Sequence, residues 1–298
     1  MCNPSPSPLV EGPRTSPARG GRSGAVALIL GGQFCTQFGA AAATSLFPLV
    51  GVAGAVTLRL SVAALVLLAV ARPSPRGRTA EDWVVVAAFG VVLAAMNLLF
   101  YNALDRMPLG AAVTIEFLGP LTLSVLTGRR ALSWLWAALA LGGVTLLGRD
   151  GFAGSTFTGT LFALGAATMW ACYILLSRGT GARFHGLAGL ALAMSAGAAA
   201  SLPFGILDAG AALLRPGSLV LGGLVAALSS LLPYSFELIS LRTVHPATFA
   251  VLLSLSPAVA ATAGVMVLGQ PLTLAALGAI ALVVTASTGA IWASRPRE

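Results

Sequence analysis

The stretch Pro108–Gly128, PLGAAVTIEFLGPLTLSVLTG, constrains this chain more than any other part of it. At about 1.5 Å per residue it is long enough to cross the hydrocarbon of a bilayer. Yet it carries a carboxylate, Glu116, and an interior proline, Pro120. Proline has no N–H, so the helical bond from Pro120 to the carbonyl four residues back cannot form, and that carbonyl belongs to Glu116. A charged side chain at the bilayer centre costs on the order of 3 kcal/mol on insertion scales, and stray backbone polar groups cost more. Both therefore face protein or water. The stretch predicts a broken helix lining a polar cavity inside a helix bundle.

Composition points the same way. With 57% hydrophobic and 9% charged residues and a mean hydropathy of +0.92, the chain departs from soluble domains, where about a quarter of residues are charged. Its 298 residues hold about ten spans with short connections and no sizeable soluble domain. Hydropathy puts these spans at 24–45, 49–71, 83–104, 109–128, 131–148, 159–178, 186–206, 218–240, 246–267 and 272–294. Residues 1–23 are rich in Pro, Ser, Gly and Arg and read as a disordered cytoplasmic arm. Ala41–Ala43 would suit a signal-peptidase site, but the long apolar run and the span that follows at once argue against cleavage. Cys2, Cys35 and Cys172 are far apart, which argues against a disulfide framework or a thiolate metal site; no metal or cofactor is expected.

The net charge of +8 invites a nucleic-acid reading, but the placement of the arginines answers otherwise. With the N-terminus inside, the cytoplasmic segments hold Arg14, Arg19, Arg22, Arg72, Arg76, Arg78, Arg129, Arg130, Arg178, Arg183, Arg242, Arg295 and Arg297. The outer loops hold only Arg106, Arg149 and Arg215, and Arg59 falls inside a span. This asymmetry implies both termini in the cytoplasm. The charges are spread over short segments and make no nucleic-acid patch.

Aligning Pro120 with Pro257 sets LDRMPLGAAVTIEFLGPL beside LRTVHPATFAVLLSLSPA. Gly128 and Gly269 follow, opening last spans that end at Gly148 and Gly289. Two halves of five spans, an odd number, enter the membrane upside down relative to each other. This is the inverted-repeat plan of secondary transporters, with matched broken helices near the midplane. Pro257 frees the carbonyl of Leu253 by the argument that freed that of Glu116. The halves read as 24–148 and 159–292.

The strings SLFPLVGVAGAVTLRL, GVVLAAMNLLFYNALDRMPLGAAVTIEFLGPL, WACYILLS (Trp170 to Ser177) and LLPYSFELISL resemble the EamA branch of the drug/metabolite transporter superfamily. Within it they are most similar to the threonine/homoserine exporters of the RhtA type, over about residues 24–292. The resemblance implies an all-α polytopic membrane protein of ten helices in two inverted five-helix repeats. It also implies a central cavity lined mainly by spans 1, 3, 4, 6, 8 and 9, and export of small amino acids driven by protons. Departures from the family pattern stand at Thr44, where a lysine is expected, at Ser256, where the second half often reads Glu-Pro, and at Gln270, where Gly-Glu is common.

Glu116 and Asn97 each lie roughly 10–12 Å inside the outer boundary, and Tyr101 shares the helix face of Asn97. Glu237 lies near the inner side, with Pro233 one turn earlier on its face. One acid near each side suggests a relay in which Glu116 couples protons or holds the substrate ammonium and Glu237 serves the inner half. Trp170 and Tyr173 sit mid-span, away from the interfacial belts, and with Ser256 complete the candidate pathway. Each residue also has a packing explanation. Glu116 and Glu237 suit structural carboxylates, Asn97 a helix-to-helix hydrogen bond, Trp170 and Tyr173 simple packing. Arg59 suits either a substrate-carboxylate partner or a side chain that snorkels to the interface.

The function classes are then a secondary exporter of small amino acids, a transporter of another small solute such as a drug, nucleobase or sugar derivative, and an intramembrane enzyme. Against the last, no Gly-x-Ser-x-Gly elbow is present and neither His185 nor His245 sits deep in a span. No P-loop is present, so the chain carries no ATP site of that kind. The expected partners are the solute, protons and the lipid bilayer; oligomeric state is not legible from the residues.

Overall fold

The computed structural model describes residues 19–74, 76–127, 138–139, 142–143, 156–240 and 246–293. Among them the chain is helical without strands. The helices are α1 (Arg19–Ala43), α2 (Phe47–Ala71), α3 (Ala80–Leu104), α4 (Leu109–Glu116), α5 (Leu118–Thr127), α6 (Phe157–Arg183) and α7 (Ala188–Ala209). After them come α8 (Pro216–Ala226), α9 (Leu232–Ser240), α10 (Pro246–Leu253), α11 (Ser256–Leu268) and α12 (Leu274–Ala293). Short 3-10 turns cover Thr44–Leu46 and Gly210–Leu214, and a π turn, Ala227–Leu231, joins α8 to α9.

Nine of the ten spans read from hydropathy coincide with helices, three of them divided: α4 with α5, α8 with α9, and α10 with α11. The fifth, 131–148, lies outside the described residues apart from 138–139 and 142–143, as do most of the arm, Arg242 and His245. Among the described residues, six stretches are long and apolar enough to cross a bilayer. The first of these, Gly24–Ala71, spans 48 residues, enough for two crossings. Two shorter apolar stretches are Leu109–Leu123 and Leu274–Gly289.

The breaks in the two halves fall at matching places. Helices α4 and α10 have 8 residues each and end at Glu116 and Leu253, the pair that the Pro120–Pro257 alignment sets opposite one another. They also run in opposite directions. The start of α4 is held by the Gln270 side chain, which accepts from Leu109 N–H at 3.0 Å. Phe249 and Leu252 of α10 instead pack on Ala25 and Ile29, at the other end of the bundle.

Helix packing follows the same exchange. Helix α2 packs on α7, and α4 on α11; α3 packs on α6 and α7, while α1 and α2 pack on the α8–α9 span. Helix α4 meets α6 as α1 meets α11. Exchanging spans 1 with 6, 2 with 7, 3 with 8 and 4 with 9 maps these pairs onto one another, as a pseudo-twofold axis requires.

Small residues permit this closeness. A Cβ on Gly90 of α3 would lie 2.5 Å from the carbonyl oxygen of Ala193 and 2.6 Å from Cβ of Ala196, both on α7. In a membrane, where lipid tails compete on equal terms with apolar side chains, such backbone approach supplies van der Waals contact that bulkier residues forbid.

The end of the bundle that carries Arg72, Arg78 and Arg183 is tied by charge. Arg183 pairs with Glu81 at 2.6 Å and with Asp82 at 3.5 Å, joining the end of α6 to the start of α3. Arg78 donates to the Arg183 carbonyl at 2.9 Å and lies over the Phe184 ring. Thr79 caps α3 in a reciprocal box with Asp82.

At the far end, Gly51 breaks α2 with φ 68° and ψ 176°. The helix restarts under the Asp208 carboxylate of α7, which accepts from Ala53 N–H at 3.0 Å. A side chain at Gly51 would meet both a left-handed backbone and that carboxylate. Gly51→Ala is expected to destabilise the folded protein by roughly 1–3 kcal/mol. Gly223→Ala, where a Cβ meets open space, is expected to stay within about 0.5 kcal/mol of the parent. Thermal unfolding of both variants in one detergent checks the pair.

Candidate functional site

A cavity of about 600 Å³ lies between the halves. Its wall is built from α1, α2, α3, the α4–α5 break, α6, the start of α7, the π turn with α9, and α10. It runs from the middle of the bundle to the arginine-rich end, where Leu28, Thr180, Phe184 and Gly189 line it. Residues of the far-end turns, such as Thr44–Leu46 and Gly210–Leu214, take no part in the wall. Exposed Gly181 and Gly186 line it there too, so among the described residues the cavity is open toward one end and blind toward the other.

Three prolines shape the wall, and each removes a helical bond to the carbonyl four residues before it. Pro233 leaves the carbonyl of Ser229 free inside the π turn, and Arg59 Nη2 donates to that oxygen at 3.0 Å. Pro257 leaves the carbonyl of Leu253 free, and Ser256 Oγ donates to it at 2.8 Å. Ser256 Oγ also lies against the Gln33 side-chain oxygen. Pro120 sits in the first turn of α5, just past the break at Phe117, and Glu116 is the last residue of α4. The breaks at Pro233 and Pro257 thus expose carbonyls where the protein's own side chains receive them, as membrane depth requires.

Among the residues singled out from the sequence, the cavity wall gathers Glu116, Glu237, Asn97, Trp170, Tyr173, Ser256, Pro120, Pro233 and Arg59. Asn97 is buried, and its Nδ2 donates within its own helix to the Leu93 carbonyl at 2.8 Å. Trp170 stands edge-on to Phe117 at the α4–α5 break, with ring centroids 5.0 Å apart. Tyr173 stacks obliquely on Phe89. Tyr101 and Pro257 are outside the wall. Tyr101 is fully buried behind it, where its hydroxyl accepts from Arg59 Nη1 at 3.1 Å. Arg59 itself does not reach for an interface: from the midpoint of α2 it bonds inward to α3 and to the π turn.

The wall also holds residues that the sequence reading passed over. Gln33 and Gln37 are 8% and 6% exposed and lie one turn apart on α1. Their signal was available, since two amides spaced by four in an apolar span share one face. Tyr234, Phe236 and Phe249 were hidden by the opposite problem, because aromatic residues in a span signal packing as readily as a site. No group of three or more metal-ligating side chains occurs among the described residues.

Membrane-crossing helices around a cavity blind at one end, with matched broken helices in its wall, define a membrane transporter. Comparison with known proteins is more specific. Residues 157–292 match the EamA-like transporter family. The threonine/homoserine exporter RhtA of Escherichia coli K12 is 39% identical over 267 residues, 89% of this chain and 90% of that one. The exporter of the same name from Salmonella typhimurium SL1344 is 40% identical over 256 residues, 85% and 86% of the two chains. A crystal structure at 23% identity superposes with a TM-score of 0.60 over 90% of this chain and 96% of its own, and shares the fold. The chain belongs to the EamA-like transporter family, in the group that holds the RhtA exporters.

Ser256 offers a direct test of how the α10–α11 break is held. Ser256→Ala removes the one hydroxyl hydrogen that the Leu253 carbonyl and the Gln33 side-chain oxygen share, and an expected loss of about 1–3 kcal/mol follows from their burial. Ser256→Thr, which keeps the hydroxyl, is expected to recover most of it. Melting temperatures of the two variants in detergent decide the matter.

Proposed function

We propose that the protein exports small amino acids of the threonine/homoserine kind across the bacterial inner membrane by alternating access, in exchange for protons. The observation that carries this reading is a cavity open at the arginine-rich end, with Glu116 in its wall where α4 ends, in a chain similar along most of its length to exporters of those two amino acids. In this reading the arginine-rich end is cytoplasmic, both termini lie on that side, and 24–148 and 159–292 are the two rocking units. Nothing in the reading calls for catalysis or a cofactor.

The chemistry follows from the wall. A carboxylate in a lowered dielectric binds either a proton or an ammonium group, and exchanging one for the other couples the two fluxes. Glu116 serves as that exchanger. Glu237, also in the wall and nearer the open end, passes protons or substrate between Glu116 and the cytoplasm. Trp170, Tyr173 and Phe117 shape the space around the substrate's carbon chain, and Asn97 and Ser256 line its polar side.

In proteoliposomes with an imposed pH gradient, transport of L-threonine or L-homoserine is expected to rise with the gradient. Glu116→Gln is expected to remove gradient-driven transport by about a hundredfold or more, while leaving the protein folded. Glu237→Gln is expected to slow it by about tenfold. Gradient-driven flux unchanged in both variants overturns the roles given to the two acids. Flux of a drug, nucleobase or sugar derivative in place of amino acids overturns the substrate assignment.

A further inference from the structure

The cavity wall holds a cation that, among the described residues, no carboxylate contacts directly. Arg59 Nη1 donates to Tyr101 OH, Nη2 to the Ser229 carbonyl, and Nε to Ser230 Oγ at 3.3 Å. All three acceptors are neutral, and among the described residues no carboxylate pairs with Arg59. A guanidinium carries five N–H donors, so these bonds leave two for another acceptor. Glu116 in the same wall acts on Arg59 through space without touching it, so the two open donors still favour an anion that makes direct contact.

A second observation stands beside it. Ser229 and Gln37, 4% and 6% exposed, line the same cavity, and their Oγ and Oε1 atoms are buried with no hydrogen-bond partner among the described residues. Ser229 is the residue whose carbonyl holds Arg59, so the unpaired hydroxyl and the guanidinium are neighbours. Gly39, half a turn from Gln37 on α1, packs directly on Ser229. One donor pair and one acceptor thus wait in the wall near the blind end, where a zwitterion's two charged groups need such partners.

We propose that Arg59 and Ser229 form a carboxylate subsite. The guanidinium and the Ser229 hydroxyl donate to the α-carboxylate of the substrate, and Gln37 Oε1 accepts from its ammonium group. The inference rests on the amino-acid reading given above and deepens it: the protein selects free carboxylates and rejects the corresponding alcohols and esters. Arg59 suits this task because its planar fork matches a carboxylate bidentately, which a lysine cannot.

The test measures binding to the purified protein by calorimetry with three probes: L-threonine, L-threoninol, in which the carboxylate is replaced by a hydroxymethyl group, and 2,3-dihydroxybutanoate of the same configuration, in which a hydroxyl replaces the ammonium. Threoninol is expected to bind at least about tenfold more weakly than threonine. Equal binding of threonine and threoninol to the wild type overturns the subsite without any variant. Ser229→Ala removes only a hydroxyl that has no partner, so folding is preserved; it is expected to weaken threonine about tenfold and leave threoninol unchanged. Arg59→Gln is expected to abolish the preference altogether. Discrimination that survives in both variants overturns the subsite while the amino-acid reading stands. Tight binding of 2,3-dihydroxybutanoate with none of threonine, lost in Ser229→Ala, overturns the amino-acid reading while the subsite stands. A wild type that binds none of the three overturns both.

Discussion

A backbone carbonyl inside hydrocarbon has to be given a partner, and this protein turns that obligation into a site. Three prolines, at 120, 233 and 257, each cancel one helical hydrogen bond within a span. Two of the released oxygens are taken by side chains from the chain's own polar set, Ser229 O by Arg59 and Leu253 O by Ser256. Each remedy brings a polar residue to mid-membrane, and a polar residue there is stable only beside others or beside a cavity. Arg59, Gln33, Gln37, Ser229, Ser256 and Glu116 therefore gather around one space.

The same logic explains why the cavity lies between the halves. A broken helix loses length as well as hydrogen bonds, and the 8-residue pieces α4 and α10 are too short to cross a bilayer by themselves. They depend on neighbours from both halves, α4 on α6 and α11, α10 on α1 and α12. Close backbone contact, as between Gly90 and α7, supplies the packing that holds intact helices around the broken ones. Rigid intact helices and hinged broken ones in one bundle are the parts from which a rocking transporter is made.

Much of this was legible in the sequence because the rules involved are stereochemical. Proline's missing N–H fixes where a helix gives way, so the breaks near Glu116 and Leu253 followed from Pro120 and Pro257 alone. Hydropathy located nine of the spans to within a few residues, since about twenty apolar residues in a row have few other uses. What stayed hidden was which face meets which neighbour. Helix periodicity puts Tyr101 on the face of Asn97, yet only Asn97 reaches the cavity; Tyr101 lies behind it, held by Arg59 from another helix. The Gly51 break was equally silent, because its partner, Asp208, lies 155 positions from the Ala53 amide it caps. Gln33 and Gln37 were readable and were missed, overshadowed by the carboxylates.

The central claim is a hollow with a single opening, reached in turn from either side of the membrane. Its most direct measurement is side-selective labelling of a cysteine at Met96, a residue of the cavity wall, in a background lacking Cys2, Cys35 and Cys172, in vesicles of known orientation. A membrane-impermeant thiol reagent is predicted to reach this cysteine from the arginine-rich side at rest, and from the opposite side once L-threonine and a pH gradient are supplied. Labelling from neither side, or from one side whatever is added, would contradict the account.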